Sequence, residues 1–531
     1  MNATLPDPNN PYSFDEYRAT RDNVRFLADD PFLQRVIATY APELTPAELA
    51  DLDSFDQQVS GPWRAASDEI ALPENAIRMR HFDAWNNRID RIERPAALLE
   101  MEKEIYGEGM FSEDHDAWAR FVKIFLLCEL GETGINCAHC CTGGLVMILD
   151  KYGSGPELER INHHMKDGID GDYAIASQFL SEIQGGSDVA ANLVEARPQD
   201  DGTYRIHGTK FFCSAAHADY AIITAKPTDS SSVGVFVVPS WLPGDKERER
   251  RNGYRINKLK QKLGTKELPT AEITYDGAVA YPVGDLNRGL ANIVGIVLSH
   301  SRFITGISAG ATLTRMAREA EQYAQWRTAF GVRIDNFGLV ARQLEDLKLT
   351  RERTTAASFK LQREILRLQG QTPSGTAADQ EFERATFQLR LMIMLQKMVA
   401  CDDSAKYSEV AMSVLGANGL MEDFSALPRL YRDAVVLAGA WEGPRNLLLT
   451  RVFMDMQKQA ASYPTAELID DLLPSTDPQI RAELAQEVTE ILSQSLLGND
   501  KQTIEACRRW DAWCTDFVHH YQDEALREVS G

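Results

Sequence analysis

The sequence predicts a mainly helical α+β fold. It comprises an N-terminal helical domain, a central antiparallel β-domain, a C-terminal helical bundle and a helical C-terminal extension. Three observations lead there. Apolar residues recur at helical spacing through the first 173 residues, and short β-rich runs separated by turn residues replace them from 174 to 285. Helical spacing then returns after Gly289. The boundaries that follow are 1–173, 174–285, 286–460 and 461–531.

In the first region Phe121, Ile124, Phe125, Cys128 and residues 145–149 have the spacing of buried helices, punctuated by Gly107, Gly109, Gly153, Gly155 and Pro156. In the second, residues 193–197 and 204–207 flank Asp201-Gly202, a hairpin-type turn. Runs at 220–225 and 233–238 are joined by a polar turn, and 271–275 alternates before a second Asp-Gly at Asp276-Gly277. Residues 242–257 carry Lys246, Arg248, Arg250 and Arg251 beside Asp245, Glu247 and Glu249, which reads as a solvated excursion between strands. In the third region Leu313, Met316, Ala317, Ala320, Tyr323 and Ala324 lie on one helix face. A second helix begins near Leu339. A third runs from about Phe382 to Leu415, with Leu391, Met394, Leu395 and Met398 in register as core filler, and Gly416 and Gly419 end it.

Composition narrows the function classes. The 531 residues are 44% hydrophobic and 25% charged, ordinary for a globular chain. No stretch approaches the roughly 18 uninterrupted apolar residues of a membrane span; Ile293–Leu298 is far too short. Residues 1–11 are polar and proline-rich, unlike a signal peptide. Eight dispersed cysteines do not form a disulfide framework, so a reducing cytoplasm is the expected location. Lys and Arg number 56 against 78 Asp and Glu, a net charge of −22, which repels phosphate backbones and anionic membranes. Neither a membrane nor nucleic acid is an expected partner.

Three segments carry chemistry. Ser181-Glu182-Ile183-Gln184-Gly185-Gly186-Ser187-Asp188 permits a tight turn whose N–H groups and hydroxyls face a pyrophosphate, and it equally suits a solvent-exposed turn. Gly208–Ser214 puts Phe212 and Ser214 two residues apart on a strand. On one face they would flank a planar ring and bond its edge; a half-buried strand reads the same way. Leu427–Asp433 is followed by Ala440-Trp441-Glu442-Gly443-Pro444-Arg445-Asn446. There Glu442, in partly apolar surroundings before a helix that Pro444 is suited to start, is either a general base or an acidic residue at a helix N-terminus.

In this order the three segments resemble the acyl-CoA dehydrogenase flavoprotein family over about residues 83–451. Residues 257–264, 427–433 and 441–443 resemble the branch containing the alkylation-inducible adaptive-response protein. The resemblance implies FAD, an acyl-CoA substrate and an electron-transferring flavoprotein as acceptor. Glu442 then corresponds to the base that removes the α-proton while the β-hydrogen leaves as hydride, giving a 2,3-enoyl-CoA. The main-chain N–H of Glu442 is implied as one donor to the thioester carbonyl, and Gly443 and Arg302 as parts of the substrate site. Ser181 and Ser187 correspond to flavin and pyrophosphate contacts, Phe212 to an aromatic packed on the flavin, and Ser214 to a hydroxyl near its reactive nitrogen. Arg327 corresponds to an arginine reaching a neighbouring subunit's FAD, and Gly416 and Gly419 to a loop near its adenosine half. A homodimer or homotetramer follows. Many members carry Thr and Gln where this chain has Pro444 and Asn446, which changes the FAD contacts expected there.

No second cluster with ligand spacing accompanies Cys137, Cys140 and Cys141, so no metal is expected; the resemblance implies that they are small pocket-lining and core thiols. Two contrasting functions differ at definable places. A flavin-containing nucleic-acid-associated protein would need a basic C-terminal region, yet residues 467–531 hold fourteen acidic and five basic residues. A decarboxylating dehydrogenase of a dicarboxylic acyl-CoA would need an arginine at the distal carboxylate.

Overall fold

The computed structural model describes residues 13–369, 371 and 377–531; the polar N-terminal stretch, residues 1–11, lies outside them. Helices α1 (Asp15–Asn23), α2 (Pro31–Tyr40), α3 (Pro46–Gln58) and α4 (Arg64–Ile70) come first. A hairpin of β1 (Arg78–Phe82) and β2 (Arg88–Glu93) follows. It is an addition to the expected helical region, and its alternating polar and apolar residues are too few to interrupt the surrounding helical pattern. Helices α5 (Ala96–Gly107), α6 (Ala117–Leu130), α7 (Thr133–Tyr152) and α8 (Pro156–Lys166) complete this part.

Local chemistry sets these boundaries. Thr45 and Glu48 form a reciprocal capping box at α3, and Asp116 accepts from the N–H groups of Trp118 and Ala119 to start α6. Gly131 stops α6 at φ +77°, where a Cβ would also run into Leu430 of the bundle.

The β-domain contains β3 (Ala176–Phe179), β4 (Glu195–Pro198), β5 (Tyr204–Ser214), β6 (Tyr220–Pro227), β7 (Gly234–Pro239), β8 (Tyr254–Leu259) and β9 (Thr270–Pro282). The strand order is β3-β6-β4-β5-β9-β7, with β8 on β9, and β7 also pairs with β6 so that the sheet closes on itself. Most pairs are antiparallel as expected, but β6 returns between β3 and β4 and runs parallel to both. Alternation along one strand is the same in either direction, so it carries no information about this insertion. The two Asp-Gly signals differ in outcome. Asp201-Gly202 turns the β4–β5 hairpin, whereas Asp276-Gly277 lies inside β9. There Ile206 pairs with Ala278 and His207 with Asp276, leaving Gly277 as a bulge at φ +84°. The charged stretch at 246–250 is largely exposed, but residues 254–257 of the expected excursion belong to β8.

The chain then enters α9 (Gly289–Asn292), a π-helical stretch Ile293–Leu298 and α10 (Ser299–Trp326) as one continuous helical run. A small hairpin, β10 (Thr328–Ala329) and β11 (Val332–Arg333), leads to α11 (Gly338–Leu368), α12 (Ala377–Leu415), α13 (Leu427–Gly439) and α14 (Arg445–Gln459). The stretch Leu286–Trp326 has the length and, over 18 residues, the mean hydropathy of 1.4 that a membrane span would show; half of that window is buried within the fold. Ser299 and His300 interrupt its apolar run, which is why counting uninterrupted residues passes over it.

The extension comprises α15 (Thr465–Leu472), α16 (Pro478–Leu492) and α17 (Lys501–Ser530). It is not a separate unit in packing terms. Trp510, Trp513 and Phe517 stack in series and share one core with Phe125 of α6, Phe359 of α11 and Leu395 of α12. Trp513 is 2% exposed, and its indole N–H donates to Leu484 O at 3.0 Å. Trp513→Ala should therefore cost about 3–5 kcal/mol and lower the urea midpoint of the helical core, measured by far-ultraviolet circular dichroism.

Candidate active site

One cavity of about 1200 Å³ opens between the β-domain and the helices. Its walls come from α7 (Asn136, Cys137, Cys140, Cys141), the end of β3 and the following turn, β5, the start of the α9–α10 run, and the segment joining α13 to α14. Among the residues singled out from the sequence, Ser181, Ser187, Phe212, Ser214, Arg302, Glu442 and Gly443 all line it.

The α13–α14 segment is conformationally unusual. Glu442 has φ +57° and Gly443 φ +103°. The left-handed region is open to glycine, but for a glutamate it costs on the order of 1–3 kcal/mol, so the surroundings must hold it there. Three side chains do so. Arg302 of α10 donates from Nε to Glu442 O at 3.0 Å, and Lys397 of α12 donates from Nζ to Gly443 O at 3.1 Å and Leu437 O at 3.3 Å. Gln178 of β3 donates to Glu442 Oε1 at 2.9 Å. Burial raises the Glu442 carboxyl above the usual carboxylate range, while Arg302, Lys397 and the Gln178 bond oppose that rise. The result is a half-buried carboxyl at the cavity wall, facing positive charge and, among the described residues, without an ammonium or guanidinium at ion-pair distance. That is the environment of a general base. Pro444 caps α14.

Across the cavity, the 182–185 turn is closed by reciprocal main-chain bonds between Glu182 and Gly185, each 3.1 Å. Glu182 is buried and accepts from Lys210 Nζ at 2.8 Å and from the N–H groups of Leu193 (2.6 Å) and Val194 (3.2 Å), so a buried ion pair anchors the turn. A Cβ on Gly186 would lie 2.8 Å from Ser181 Oγ, which leaves glycine as the residue that keeps this hydroxyl in place.

Strand β5 slips register between Lys210 and Cys213. Simple alternation would send Phe211 to the opposite face, but both Phe211 and Phe212 reach the cavity, with Phe212 41% exposed. Ser214 Oγ lies 3.2 Å from Thr270 Oγ1, which accepts from Lys262 Nζ at 3.0 Å; burial pushes Lys262 down to about 8.

Other residues lie elsewhere. Arg327 follows α10, and Gly416 (φ +60°) and Gly419 follow α12 at the same end of the bundle, where Asn418 Nδ2 donates to Tyr323 OH at 2.9 Å. Asn446 is exposed on the first turn of α14, and its carbonyl accepts from Thr450. Gln178 and Lys397 lie in no motif, and Glu182, Lys210 and Phe211 stand inside the segments singled out from the sequence without a role assigned to them. Lys397 stands among methionines and Lys210 within a strand, so only the tertiary contacts distinguish them.

The raised Glu442 carboxyl has a stability consequence with a defined sign. A carboxyl that holds its proton more tightly folded than unfolded contributes stability at low pH, and that contribution is lost as pH rises through the folded value. Glu442→Gln removes the charge and keeps an acceptor for Gln178. Thermal midpoints of the two proteins should coincide near pH 4, and the variant should be the more stable at pH 8 by differential scanning calorimetry.

The chain matches the acyl-CoA dehydrogenase middle domain over residues 177–278 and the acyl-CoA dehydrogenase C-terminal domain over residues 287–456, together just over half of its length. It is 29% identical to acyl-CoA dehydrogenase family member 11 of Caenorhabditis elegans over 472 residues, covering 84% of this chain and 73% of that protein. The crystal structure of C. elegans ACDH-11 in complex with C11-CoA superposes with a TM-score of 0.76 at 21% identity, covering 99% and 94% of the two chains. The putative acyl-CoA dehydrogenase AidB of Escherichia coli K12 is 29% identical over 306 residues, 57% of this chain and 52% of that protein. An acyl-CoA dehydrogenase from Bacillus anthracis solved with FAD shares the fold, with a TM-score of 0.69 at 14% identity over 95% and 84% of the chains. By its two matched domains and the architecture around its cavity, this chain belongs to the acyl-CoA dehydrogenase family.

Proposed function

We propose that the protein is an FAD-dependent acyl-CoA dehydrogenase in which Glu442 takes the α-proton of an acyl-CoA thioester and a 2,3-enoyl-CoA leaves. The observation that carries this reading is the Glu442 carboxyl, held on a left-handed turn and lining the same cavity as Ser181, Ser187, Phe212 and Ser214. When bound, FAD supplies the two-electron acceptor for the hydride that leaves the β-carbon.

The residues present fit that group. Phe212 offers an exposed aromatic face for a planar ring, Ser214 a hydroxyl at its edge, and the glycine-limited turn at Ser181–Ser187 a close approach of N–H and hydroxyl groups to a diphosphate. The relatives solved with FAD and with C11-CoA support a cavity that takes both a dinucleotide and a thioester.

Glu442 does the proton chemistry. An α-C–H is a weak acid, so its removal needs the thioester carbonyl polarised as negative charge develops; the Glu442 main-chain N–H is our candidate for one donor. The α7 wall, with Cys137, Cys140 and Cys141, bounds the space for the acyl chain with small, weakly polar groups. Burial raises the Cys140 thiol well above its ordinary range, and a hydrogen bond with Cys137 together with burial does the same for Cys141, which keeps both neutral.

Arg327, Gly416 and Gly419, gathered at the far end of the bundle, suit contact with a second subunit's FAD, and an electron-transferring flavoprotein suits the role of acceptor. Screening CoA thioesters by anaerobic flavin reduction should give bleaching with at least one chain type. In Glu442→Gln the bleaching rate should fall at least about a thousandfold with FAD retained, since the base is removed and the site is otherwise intact. Unchanged bleaching in the variant would refute the assignment.

A further inference from the structure

Lys397 sits in the middle of α12 and is 1% exposed. Met394 and Met398, on the same helix, are buried beside it, so a hydrophobic side chain would suit the packing there. An ammonium in such a place is expensive unless its protons are bonded and its charge is used. Its hydrogen-bond acceptors among the described residues are two main-chain carbonyls, Gly443 O at 3.1 Å and Leu437 O at 3.3 Å, and no carboxylate lies within ion-pair distance. Both carbonyls belong to the segment that carries Glu442. One closes the end of α13 and the other belongs to the second left-handed residue of the turn.

Resting on the dehydrogenase reading above, we propose that Lys397 is a positioning residue for the reaction. From the core of the bundle it ties down the strained turn that aims Glu442, and it supplies one of the positive charges that face the carboxyl. Arg302 holds the adjacent carbonyl from the opposite helix, so the two cations grip consecutive carbonyl groups of one turn. The groups facing Glu442 are Arg302 of α10, Lys397 of α12, Gln178 of β3 and the neutral thiols of Cys140 and Cys141 of α7; Arg451 of α14 acts on Arg302. Arg302 and Lys397 are the positively charged members that favour an ionised Glu442. Loss of either should leave the base protonated to higher pH.

The test uses the FAD-loaded protein with whichever acyl-CoA bleaches it, comparing wild type, Lys397→Met and Lys397→Arg. Lys397→Met should lower kcat at least about tenfold at pH 7 with KM changed less than about threefold, and should move the acid limb of the kcat profile to higher pH. Lys397→Arg, which keeps the charge, should return that limb toward the wild-type position. A merely structural lysine would lower the thermal midpoint without moving the limb. If Lys397→Met gives no folded holoprotein, Lys397→Gln, which keeps a donor for Gly443 O, carries the same pH comparison. A wild-type kcat with an unshifted limb in a folded variant overturns the inference. So does failure of both uncharged variants to fold, which assigns Lys397 to the core alone. Either result leaves the dehydrogenase reading standing, because that reading fails only if Glu442→Gln still bleaches.

Discussion

The arrangement of the site depends on a backbone constraint at Glu442 and Gly443. Two successive residues with positive φ turn the chain sharply between α13 and α14, and the first of them is not a glycine. That conformation persists because α10 and α12, the long helices at the centre of the bundle, present Arg302 and Lys397 to its carbonyl groups. The β-domain contributes Gln178 to the carboxyl itself. A half-buried carboxyl at the cavity wall is thus the joint product of three elements distant in sequence. Local propensity opposes this turn, as it commonly does where a fold stores strain at a functional position.

Much of the fold is legible in the sequence because it follows from periodicity. The apolar spacing of Leu313 through Ala324 and of Leu391 through Met398 gives the central helices. The runs at 220–225 and 233–238 give β6 and β7. What escapes has a common physical character: it depends on partners rather than on the segment itself. The parallel pairing of β6 with β3 and β4, the bulge at Gly277, and the slip that turns both Phe211 and Phe212 toward the cavity are choices between registers that alternation leaves equivalent.

The same division holds for the site. Ser181, Ser187, Phe212, Ser214, Arg302, Glu442 and Gly443 meet in one cavity. The turn and the helix start that carry Ser181, Ser187, Glu442 and Gly443 have local glycine and proline signals, whereas Arg302 lies in no motif and is reached only through the family resemblance. Lys397 lies in no motif, and Glu182 and Lys210 stand inside the quoted segments without a role of their own, since a charged residue reads as a solvated one until the fold buries it. Buried ion pairs and ammonium groups offer little net stability but fix geometry when one partner's loss is costly. Here they occur on both sides of the cavity, under the Ser181–Ser187 turn and behind the Glu442 turn.

The account stands or falls on proton abstraction by Glu442, which can be observed apart from electron transfer. The direct measurement is deuterium incorporation at the α-carbon of a bound acyl-CoA in D₂O under anaerobic conditions, followed by mass spectrometry. The account predicts α-deuterium incorporation with the wild-type holoprotein and none above background with Glu442→Gln. Equal incorporation in the two proteins, or none in either with a thioester shown to bind, would contradict it.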